Sequence, residues 1–563
     1  MTIYKIIIND TSYTDYVIYE INQNKKIELD VNPINNKLFT NDSFIINKHN
    51  DITIIDSSIR TCKQIAGVLI LKNNKTYGKK KNKFIYKCIP NDKSIPSFLI
   101  PYEIKHIGFS KIYYNLYITF TYNEWIDKHP SGIIKDIIGP VNILENFYEY
   151  QLCCKNLNIS NLKFTKYTND KLKVEQSSNN FIDKYLKDHP NIENRKDYQI
   201  FTIDPLNSVD FDDGFSIKYL NNSNYVLSIY ISNVTIWLDI LDLWSIFSDR
   251  ISTIYLPNKK KSMLPTILSD DLCSLKQNEP RFAFVMDIFI NDNIISNINY
   301  SNCIICVNKN YVYEENELIN NNNYKILLNI TTQLSLKYKY VDTINDSHDV
   351  VAYLMILMNH ECSKKMLEYN NGIYRATTYK EHYLDSLSTN IKKNIKLYSN
   401  YSGQYITFDN NTRHAILELD SYLHITSPIR KIVDLLNMIQ IQKNLNLLEL
   451  SDKSNIFYKK YINNLDLINT TMKNINKVQN DSELLNLFLN NDQMKHKLFD
   501  GYILNKINKV NNLFQYEIYL PEIKLTSKIN SLIEFDNYDK KIFKLYLFND
   551  EDNLKKKIKL QLI

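Results

Sequence analysis

The chain has 563 residues, of which 44% are hydrophobic and 23% are charged, and its formal net charge is +6. This length is too great for one hydrophobic core and favours about four domains. The mild positive charge permits a polyanionic partner such as a nucleic acid without requiring one. The sequence has no uninterrupted apolar run of the about 18 residues that a membrane-spanning helix needs.

The first 140 residues show two runs of short apolar strands separated by turn residues. Regular short strands predict one small β-barrel of the OB or cold-shock kind over residues 1–58 and a second over residues 59–140. Barrels of this type bind single strands by stacking bases on exposed aromatic rings in a basic groove. Tyr77, next to the basic run 79–81, is a candidate for such a surface. A solvated hairpin turn with a packing tyrosine is an equally good interpretation.

Helical patterns follow, and short strands return at the end of the chain. We predict a connector over residues 141–190, a large mixed α+β domain over residues 191–490 and an OB-type barrel over residues 491–563. The predicted fold class is therefore multidomain α+β, with OB or cold-shock β-barrels flanking the large domain. Within that domain the patterns predict a strand at 226–231 and helices at 240–251, 349–366 and 429–445.

The eight cysteines are scattered along the chain. Cys303 and Cys306 form a lone CxxC in an apolar, strand-like run, whereas a zinc site would need a second pair at a suitable spacing. We expect buried free thiols and a reducing compartment. Residues 1–20 lack the basic start and apolar core of a secretory signal. We therefore expect an intracellular, cytoplasmic protein with no membrane partner, and a nuclear location is equally compatible.

One short stretch carries four aspartates within ten positions: Asp204, Asp210, Asp212 and Asp213. Apolar residues on both sides predict a strand, a polar loop and a second strand, and Asp210 and Asp212 would share a face if the loop is extended. Carboxylates this close repel one another unless cations neutralise them or they spread over a solvated loop. Two interpretations follow, a Mg²⁺ or Mn²⁺ site for phosphodiester chemistry and a solvated acidic turn.

Three ordered sequence blocks carry a family resemblance. The first is TIDP at 202–205 with DFDD at 210–213. The second runs from YLP at 255–257 to LCSL at 272–275, and the third is YLHITSPIRK at 422–431 with Asp434. Together they resemble the ribonuclease II / ribonuclease R (RNB) family, which includes the eukaryotic exosome exonuclease. We expect no counterpart of the N-terminal endonuclease domain that some exosome nucleases carry.

The resemblance implies a Mg²⁺-dependent 3′→5′ exoribonuclease that threads single-stranded RNA into a buried site and releases 5′-nucleotides. Residues 191–490 would be the RNB catalytic domain, and the OB-type barrel over residues 491–563 would bind RNA. Asp204, Asp210 and Asp213 would be metal ligands for two Mg²⁺ ions, with Mn²⁺ as an alternative, and Asp212 would be the aspartate most directly tied to cleavage. Two such ions can activate water and neutralise the transition state. No partner protein follows from the sequence.

Two further residues acquire roles from the same resemblance. Arg430 would hold the scissile phosphate with its planar, always-charged fork, and the preceding Ser427-Pro428 step suits the start of a helix. A structural salt bridge is the alternative for Arg430. Tyr255 matches the family tyrosine that stacks near the RNA 3′ end, and a tyrosine packed in the core is its alternative. We expect His424 to be structural.

The chain also departs from the family pattern. Family members carry glutamates at the helical positions that match Ala352 and Tyr353, and one of them contacts the terminal nucleotide. Asp349 lies one turn earlier and would either substitute or serve as a helix N-terminal charge. The His-Arg pair that often follows Asp434 is Met438-Ile439 here. These changes leave two alternatives open, an RNB-family RNA-binding protein with reduced or lost catalysis and a nuclease for single-stranded DNA.

Overall fold

The structure is a computed structural model of the chain. It describes residues 2–23, 25–104, 113–174, 178–221, 224–341, 343–377, 403–408, 411–509, 513–550 and 555–563. Three antiparallel or mixed sheets and one closed barrel account for most of the strands, and helices surround the barrel. The predicted multidomain α+β fold class is confirmed. In the part of the chain that the structure describes, no helix is both long and apolar enough to span a membrane.

Two sheets fill the first 140 residues, as predicted. The first has the strand order β3-β2-β1-β4-β5, and a helical turn, α1, follows it. The second has the order β6-β10-β11-β9-β8-β7, and β6 also pairs with β8, which closes it. Their bounds are β1 Tyr4–Ile8, β2 Tyr16–Glu20, β3 Lys25–Ile27, β4 Ser43–Ile46, β5 Ile52–Asp56, α1 Ser58–Thr61, β6 Ile65–Leu69, β7 Lys79–Lys80, β8 Lys83–Pro90, β9 Phe98–Tyr102, β10 Leu116–Glu124 and β11 Ser131–Pro140.

The two sheets share one hydrophobic core. Phe39, between β3 and β4, stacks on Phe98 of β9 with ring centroids 6.0 Å apart, and it lies 4.7 Å from the Trp125 ring. Large aromatic contacts of this kind dominate core energetics. The proposed boundary at residue 58 therefore separates two sheets that pack together as neighbours.

The central domain begins after three connecting helices and is organised around a closed barrel of order β12-β13-β14-β17-β18. The barrel closes because β18 returns in parallel to β12, which places Asp204 opposite Val312. These segments are α2 Leu144–Cys154, α3 Leu162–Val174, α4 Ser178–Asp188, β12 Glu193–Asp204, β13 Asp213–Asn221, β14 Asn224–Ser232, α5 Val234–Ile240, β15 Ile254–Leu256, β16 Lys259–Lys261, β17 Pro280–Asn291 and β18 Ile294–Val312. The predicted strand at 226–231 is thus confirmed.

Helices and a small hairpin complete the domain, and the predicted helices at 349–366 and 429–445 are confirmed. Apolar residues of the barrel strands form one core with α7, α8 and α9. The bounds are α6 Asn316–Asn320, α7 Asn322–Ser335, α8 Ser347–Glu368, β19 Ile373–Ala376, β20 Gln404–Thr407, α9 Ile432–Asn444, α10 Asp452–Ile462 and α11 Leu465–Asn490.

The predicted helix at 240–251 is wrong. Helix α5 ends at Ile240, and Asp242 adopts a left-handed conformation with φ of 54°. The chain then runs through turns in which Leu243 and Trp244 are buried. Because the helix-like spacing of apolar residues reflects burial in a turn-rich segment, periodicity alone was misleading here.

A five-stranded sheet of order β23-β22-β21-β24-β25 ends the chain, where the third barrel was predicted. Leu484 and Phe488 of α11 contribute to the core of this sheet. Its elements are α12 Asp492–His496, β21 Leu498–Asn508, β22 Phe514–Leu520, β23 Leu525–Ser531, β24 Lys540–Asp550 and β25 Lys555–Leu562.

Candidate active site

The four aspartates lie where β12 ends and β13 begins. Asp204 is the last residue of β12, Asp213 is the first of β13, and the loop 205–212 joins them. Apolar residues form the two strands, and the polar loop with Pro205 interrupts the ladder, as predicted. Asp212 and Asp213 are buried, and Asp204 is half-buried. We call Asp204, Asp212 and Asp213 the aspartate cluster.

Each member of the aspartate cluster has a buried oxygen that lacks a hydrogen-bond donor. The Oδ2 atoms of Asp204, Asp212 and Asp213 all have this property within the described residues. Buried polar atoms are nearly always paired, so three such oxygens in one place require an explanation. Carboxylate oxygens without donors are the hard ligands that a divalent cation takes.

Burial raises the pKa of Asp204 and of Asp212 to about 7, and that of Asp213 to about 8. Neighbouring carboxylates push in the same direction, since each disfavours a second negative charge nearby. The Arg430 guanidinium opposes the rise at all three positions. One arginine therefore leaves the aspartate cluster short of positive charge at neutral pH.

The second sequence block clamps the aspartate loop. The Ser274 hydroxyl donates to the Val209 carbonyl at 2.8 Å and accepts the Phe211 N–H at 3.0 Å. The Leu275 N–H donates to the Phe211 carbonyl at 3.0 Å. A π-helical turn at Leu268–Leu272 leads into this clamp, and such turns are frequent at functional sites. The block thus fixes the loop that carries the aspartates.

Arg430 reaches the aspartate cluster from the third block. Its carbonyl accepts the Thr253 N–H at 2.9 Å and the Ser252 hydroxyl at 2.9 Å. Its Nε lies 2.9 Å from Asp212 Oδ2. The N–H direction does not satisfy hydrogen-bond geometry, so the contact is a close ion pair. The Ile429 N–H donates to Asp212 Oδ1 at 3.1 Å.

The guanidinium of Arg430 is accessible from outside. Its side chain is 42% exposed, whereas that of Asp212 is 2% exposed. Burial works against the charge of Arg430, and Asp212 more than compensates, so the pKa of Arg430 is raised above its ordinary value. Arg430 is therefore a fixed, partly exposed cation that an anionic ligand can reach.

The predicted helix start at Ser427-Pro428 is wrong. Helix α9 begins at Ile432, and Lys431 is its N-cap residue. The Ser427 N–H donates to Asp434 Oδ1 at 2.8 Å. Because the backbone N–H groups of Ser427 and Ile429 are taken by carboxylates, they are not the open anion site that a helix start would offer.

Tyr255 lies beside the site on a short hairpin. It is 43% exposed, and its hydroxyl lies 3.5 Å from Asp210 Oδ2. Burial and the Asp210 carboxylate raise the pKa of Tyr255 to about 12. The alternative of a tyrosine packed in the core is excluded by this exposure. An exposed aromatic ring at this position suits base stacking.

Asp210 does not join the other three aspartates. Lys260 Nζ lies 3.1 Å from Asp210 Oδ1 and 3.1 Å from Asp270 Oδ1. We call Lys260, Asp210 and Asp270 the lysine bridge. Sequence reasoning missed Lys260, although its position directly opposite Tyr255 in the hairpin follows from strand alternation.

The aspartates fit a divalent cation by chemistry, but their ligand set is not preassembled. Among the described residues, no group of three or more His, Cys, Asp or Glu side chains is already arranged to hold a metal. The lysine bridge explains part of this, because the Lys260 ammonium already pairs with Asp210 Oδ1. The ion pair of Asp212 with Arg430 explains another part.

The remaining candidates lie away from the reacting centre or play structural parts. Burial holds the pKa of His424 well below its usual value, and its Nδ1 lies 2.9 Å from the Tyr405 hydroxyl. Asp349 accepts the Asn345 N–H at 2.9 Å at the start of α8, so it acts as a helix N-terminal charge. Ala352 is exposed and Tyr353 is fully buried. Neither position offers a carboxylate.

Sequence reasoning also missed Tyr313. Its N–H donates to the Asp204 carbonyl at 3.1 Å, and its ring stacks on His348 with centroids 3.7 Å apart. Burial and Asp213 raise the pKa of Tyr313 above its ordinary value. No local motif marks this residue, because the parallel pairing of β12 with β18 brings it to the site.

Comparisons with known proteins place this site in a family context. Residues 193–339 match the RNB domain family. Ribonuclease R of Chlamydia muridarum is 33% identical over 149 residues, which is 25% of this chain and 21% of that protein. The exosome complex exonuclease dis3 of Schizosaccharomyces pombe is 34% identical over 135 residues, or 23% of this chain and 14% of that protein. The matched segments thus span about a fifth of the length of the first relative and about a seventh of that of the second.

Solved structures extend the likeness to the whole fold. Mycoplasma genitalium RNase R in complex with ribose-methylated single-stranded RNA has a TM-score of 0.67 and 15% identity, covering 100% of both chains. Yeast Ssd1, described as a pseudonuclease, has a TM-score of 0.54 and 13% identity, covering 94% of this chain and 78% of that one. At such identities the likeness concerns the fold alone. It agrees with the predicted arrangement of barrels around a central domain.

Proposed function

We propose, on the premise that this chain carries an RNB domain over residues 193–339, that it is a 3′→5′ exoribonuclease acting on single-stranded RNA. It would release 5′-nucleotides and depend on a divalent cation, Mg²⁺ or Mn²⁺. The observation that carries the proposal is the aspartate cluster, with three buried carboxylate oxygens that have no donor and lie beside Arg430.

The chain's own residues divide the work of binding and cleavage. Arg430 would hold the scissile phosphate, because its exposed fork matches two phosphate oxygens. Asp212 keeps Arg430 in place through the 2.9 Å ion pair. Tyr255 would stack on the terminal base and limit how that nucleotide turns. These three side chains together orient the phosphodiester over the aspartate cluster.

Asp204 and Asp213 would hold the divalent cation through their oxygens that have no donor, and Asp212 would lie beside it with Arg430 paired to its Oδ2. A bound cation would neutralise charge in the transition state and lower the pKa of a water molecule. Asp210 can serve as a further ligand only if Lys260 is displaced from it. The expectation of two ions therefore depends on the lysine bridge.

The second candidate is an RNA-binding protein with reduced or lost catalysis. Two observations favour it over the nuclease: a protein ammonium already neutralises Asp210, and α8 presents Ala352 and Tyr353 where acidic contacts are expected. The fold likeness to a yeast pseudonuclease is compatible with it. Retention of the full aspartate cluster with Arg430 favours the nuclease.

A labelled oligonucleotide separates these candidates. Single-stranded RNA labelled at its 5′ end is incubated with Mg²⁺ and the wild-type protein, Asp212→Asn, or Asp197→Asn. Asp197 is an exposed residue of the same strand as Asp204 and is the matched control. We expect a ladder of shortened products with wild type and Asp197→Asn, and none with Asp212→Asn.

Other outcomes have defined meanings. Retained RNA binding without any cleavage would overturn the nuclease and support the RNA-binding protein. The same oligonucleotide made as DNA tests the third alternative, and equal cleavage of both strands would overturn specificity for RNA.

A further inference from the structure

The β15–β16 hairpin directs its lysines to two different partners. Tyr255 lies directly opposite Lys260 in the antiparallel register. Lys259 and Lys261 flank Lys260 and both pair with Glu149 of α2, at 2.7 Å and 2.6 Å. Successive side chains of a strand point to opposite faces. Lys260 is therefore the one lysine of this run that the hairpin turns towards the aspartate loop.

Lys260 bridges two carboxylates as a bound cation would. Its Nζ is 3.1 Å from an oxygen of Asp210 and 3.1 Å from an oxygen of Asp270. The Ser269 hydroxyl donates to the same Asp270 oxygen at 2.6 Å. The side chains of Lys260 and Asp210 are only 23% and 12% exposed, and partial removal of water strengthens such pairs.

The four loop aspartates therefore exist in two electrostatic states. Asp204 and Asp213 have oxygens without donors, whereas Arg430 pairs with Asp212 and Lys260 pairs with Asp210. The Lys260 ammonium, 3.1 Å from Asp210 Oδ1, occupies the space that a metal ion needs to coordinate that oxygen at 2.0–2.6 Å or so. A metal ion and Lys260 thus compete for Asp210 Oδ1.

We propose that Lys260 replaces one of two divalent cations in the RNA-free protein. The aspartate cluster then binds a single divalent ion, and the Lys260 ammonium supplies the second positive centre at Asp210. Lys260 acts as a positioning residue that sets the number of metal ions. The inference deepens the proposed function and rests on it for the identity of the aspartate cluster as a metal site.

The test counts Mn²⁺ ions bound to the full chain without RNA. Wild type, Lys260→Met and Lys259→Met are stripped of metal, and bound Mn²⁺ is measured by isothermal titration and electron paramagnetic resonance. We expect one ion in wild type, one in Lys259→Met and two in Lys260→Met. The double variant Lys260→Met/Asp210→Asn should return to one ion, because the freed carboxylate is then absent.

Other counts overturn the inference. Two ions or none in wild type, or one ion in Lys260→Met, would show that Lys260 does not hold the place of a cation. Lys260→Gln, which keeps a hydrogen-bond donor without the charge, replaces Lys260→Met if that variant does not fold, and it should also bind two ions. Thermal unfolding of each variant establishes that it is folded.

Ion counting is independent of RNA cleavage, so the two proposals can fail separately. If wild type binds one ion and Lys260→Met binds two, the inference holds even when no RNA is cleaved. If RNA is cleaved and the count is unaffected by Lys260→Met, the nuclease stands and the inference fails.

Discussion

The aspartate cluster and the lysine bridge meet at the aspartate loop but differ in which protein cations pair with their carboxylates. In the aspartate cluster, burial raises the pKa of each carboxyl into the range of about 7 to 8, and three oxygens lack donors. In the lysine bridge, one ammonium serves two carboxylates. An acidic motif therefore does not by itself show which carboxylates can bind a metal ion. The cations that neighbouring segments bring to the motif decide which carboxylates are already paired.

The largest expected effect comes from substitution of Arg430, which pairs with Asp212 of the aspartate cluster. Arg430→Lys keeps the charge but loses the planar fork that matches a phosphate. We expect the cleavage rate to fall about 10²–10³-fold, as for removal of a main transition-state contact. Single-turnover cleavage of labelled RNA measures this. A rate within twofold or so of wild type would mean that Arg430 serves only as a structural partner of Asp212.

A substitution of Tyr255, which lies next to Asp210, tests whether the RNA 3′ end binds at this position. Tyr255→Ala should weaken binding of single-stranded RNA about 10-fold to 100-fold, because stacking on an aromatic ring contributes about 1–3 kcal/mol per base. Tyr255→Phe keeps the ring and should bind nearly as wild type. Fluorescence anisotropy measures both affinities.

The matched control is Tyr219→Ala, since Tyr219 is 55% exposed on β13. An equal loss of RNA affinity in Tyr219→Ala would indicate a general effect of surface aromatic residues. Unchanged affinity in Tyr255→Ala would remove this residue from the RNA-binding surface.

The sequence predicts the strand–loop–strand that carries the aspartates and the three blocks, because these depend on local patterns and turn chemistry. It does not predict that five strands of the central domain close into a barrel. It does not reveal the lysine bridge, since the pairing of Lys260 with Asp270 depends on how a hairpin docks against a π-helical turn. The sequence does not predict the position of Tyr313 beside Asp204 either, because β18 pairs with β12 only after the chain has passed round the barrel. The false helix at 240–251 shows that burial in turns can imitate helical periodicity.

The pH dependence of stability tests whether the aspartate cluster is strained without metal. Its carboxyls have a pKa of about 7 to 8 in the fold, compared with an ordinary value of 3.8. Between these limits the folded protein holds protons that the unfolded chain has released. The free energy of unfolding of metal-free protein should therefore fall as the pH rises from about 4 to 8.

Asp213→Asn removes one of these groups. We expect it to raise the free energy of unfolding of metal-free protein by several kcal/mol at pH 8 and by about 1–2 kcal/mol at pH 5, because each pH unit above the ordinary pKa adds about 1.4 kcal/mol. Chemical denaturation in a chelator measures both values, with Asp197→Asn as the exposed control. Destabilisation at pH 8 would contradict the idea that Asp213 is held at an electrostatic cost.

The smallest expected effect concerns Ser274, which clamps the aspartate loop. Ser274→Ala removes the hydroxyl that holds Val209 and Phe211. Val209 is 42% exposed and Phe211 is half-buried, so water can replace part of the lost contact. We therefore expect the free energy of unfolding to fall by about 1 kcal/mol. The looser loop should also weaken Mn²⁺ binding a few-fold. Ser296→Ala, which removes one exposed contact to Phe289, is the control. If Ser274→Ala lowers the free energy of unfolding and the Mn²⁺ affinity no more than this control does, the strands alone hold the aspartates in place. The second block would then serve only to carry Asp270 of the lysine bridge.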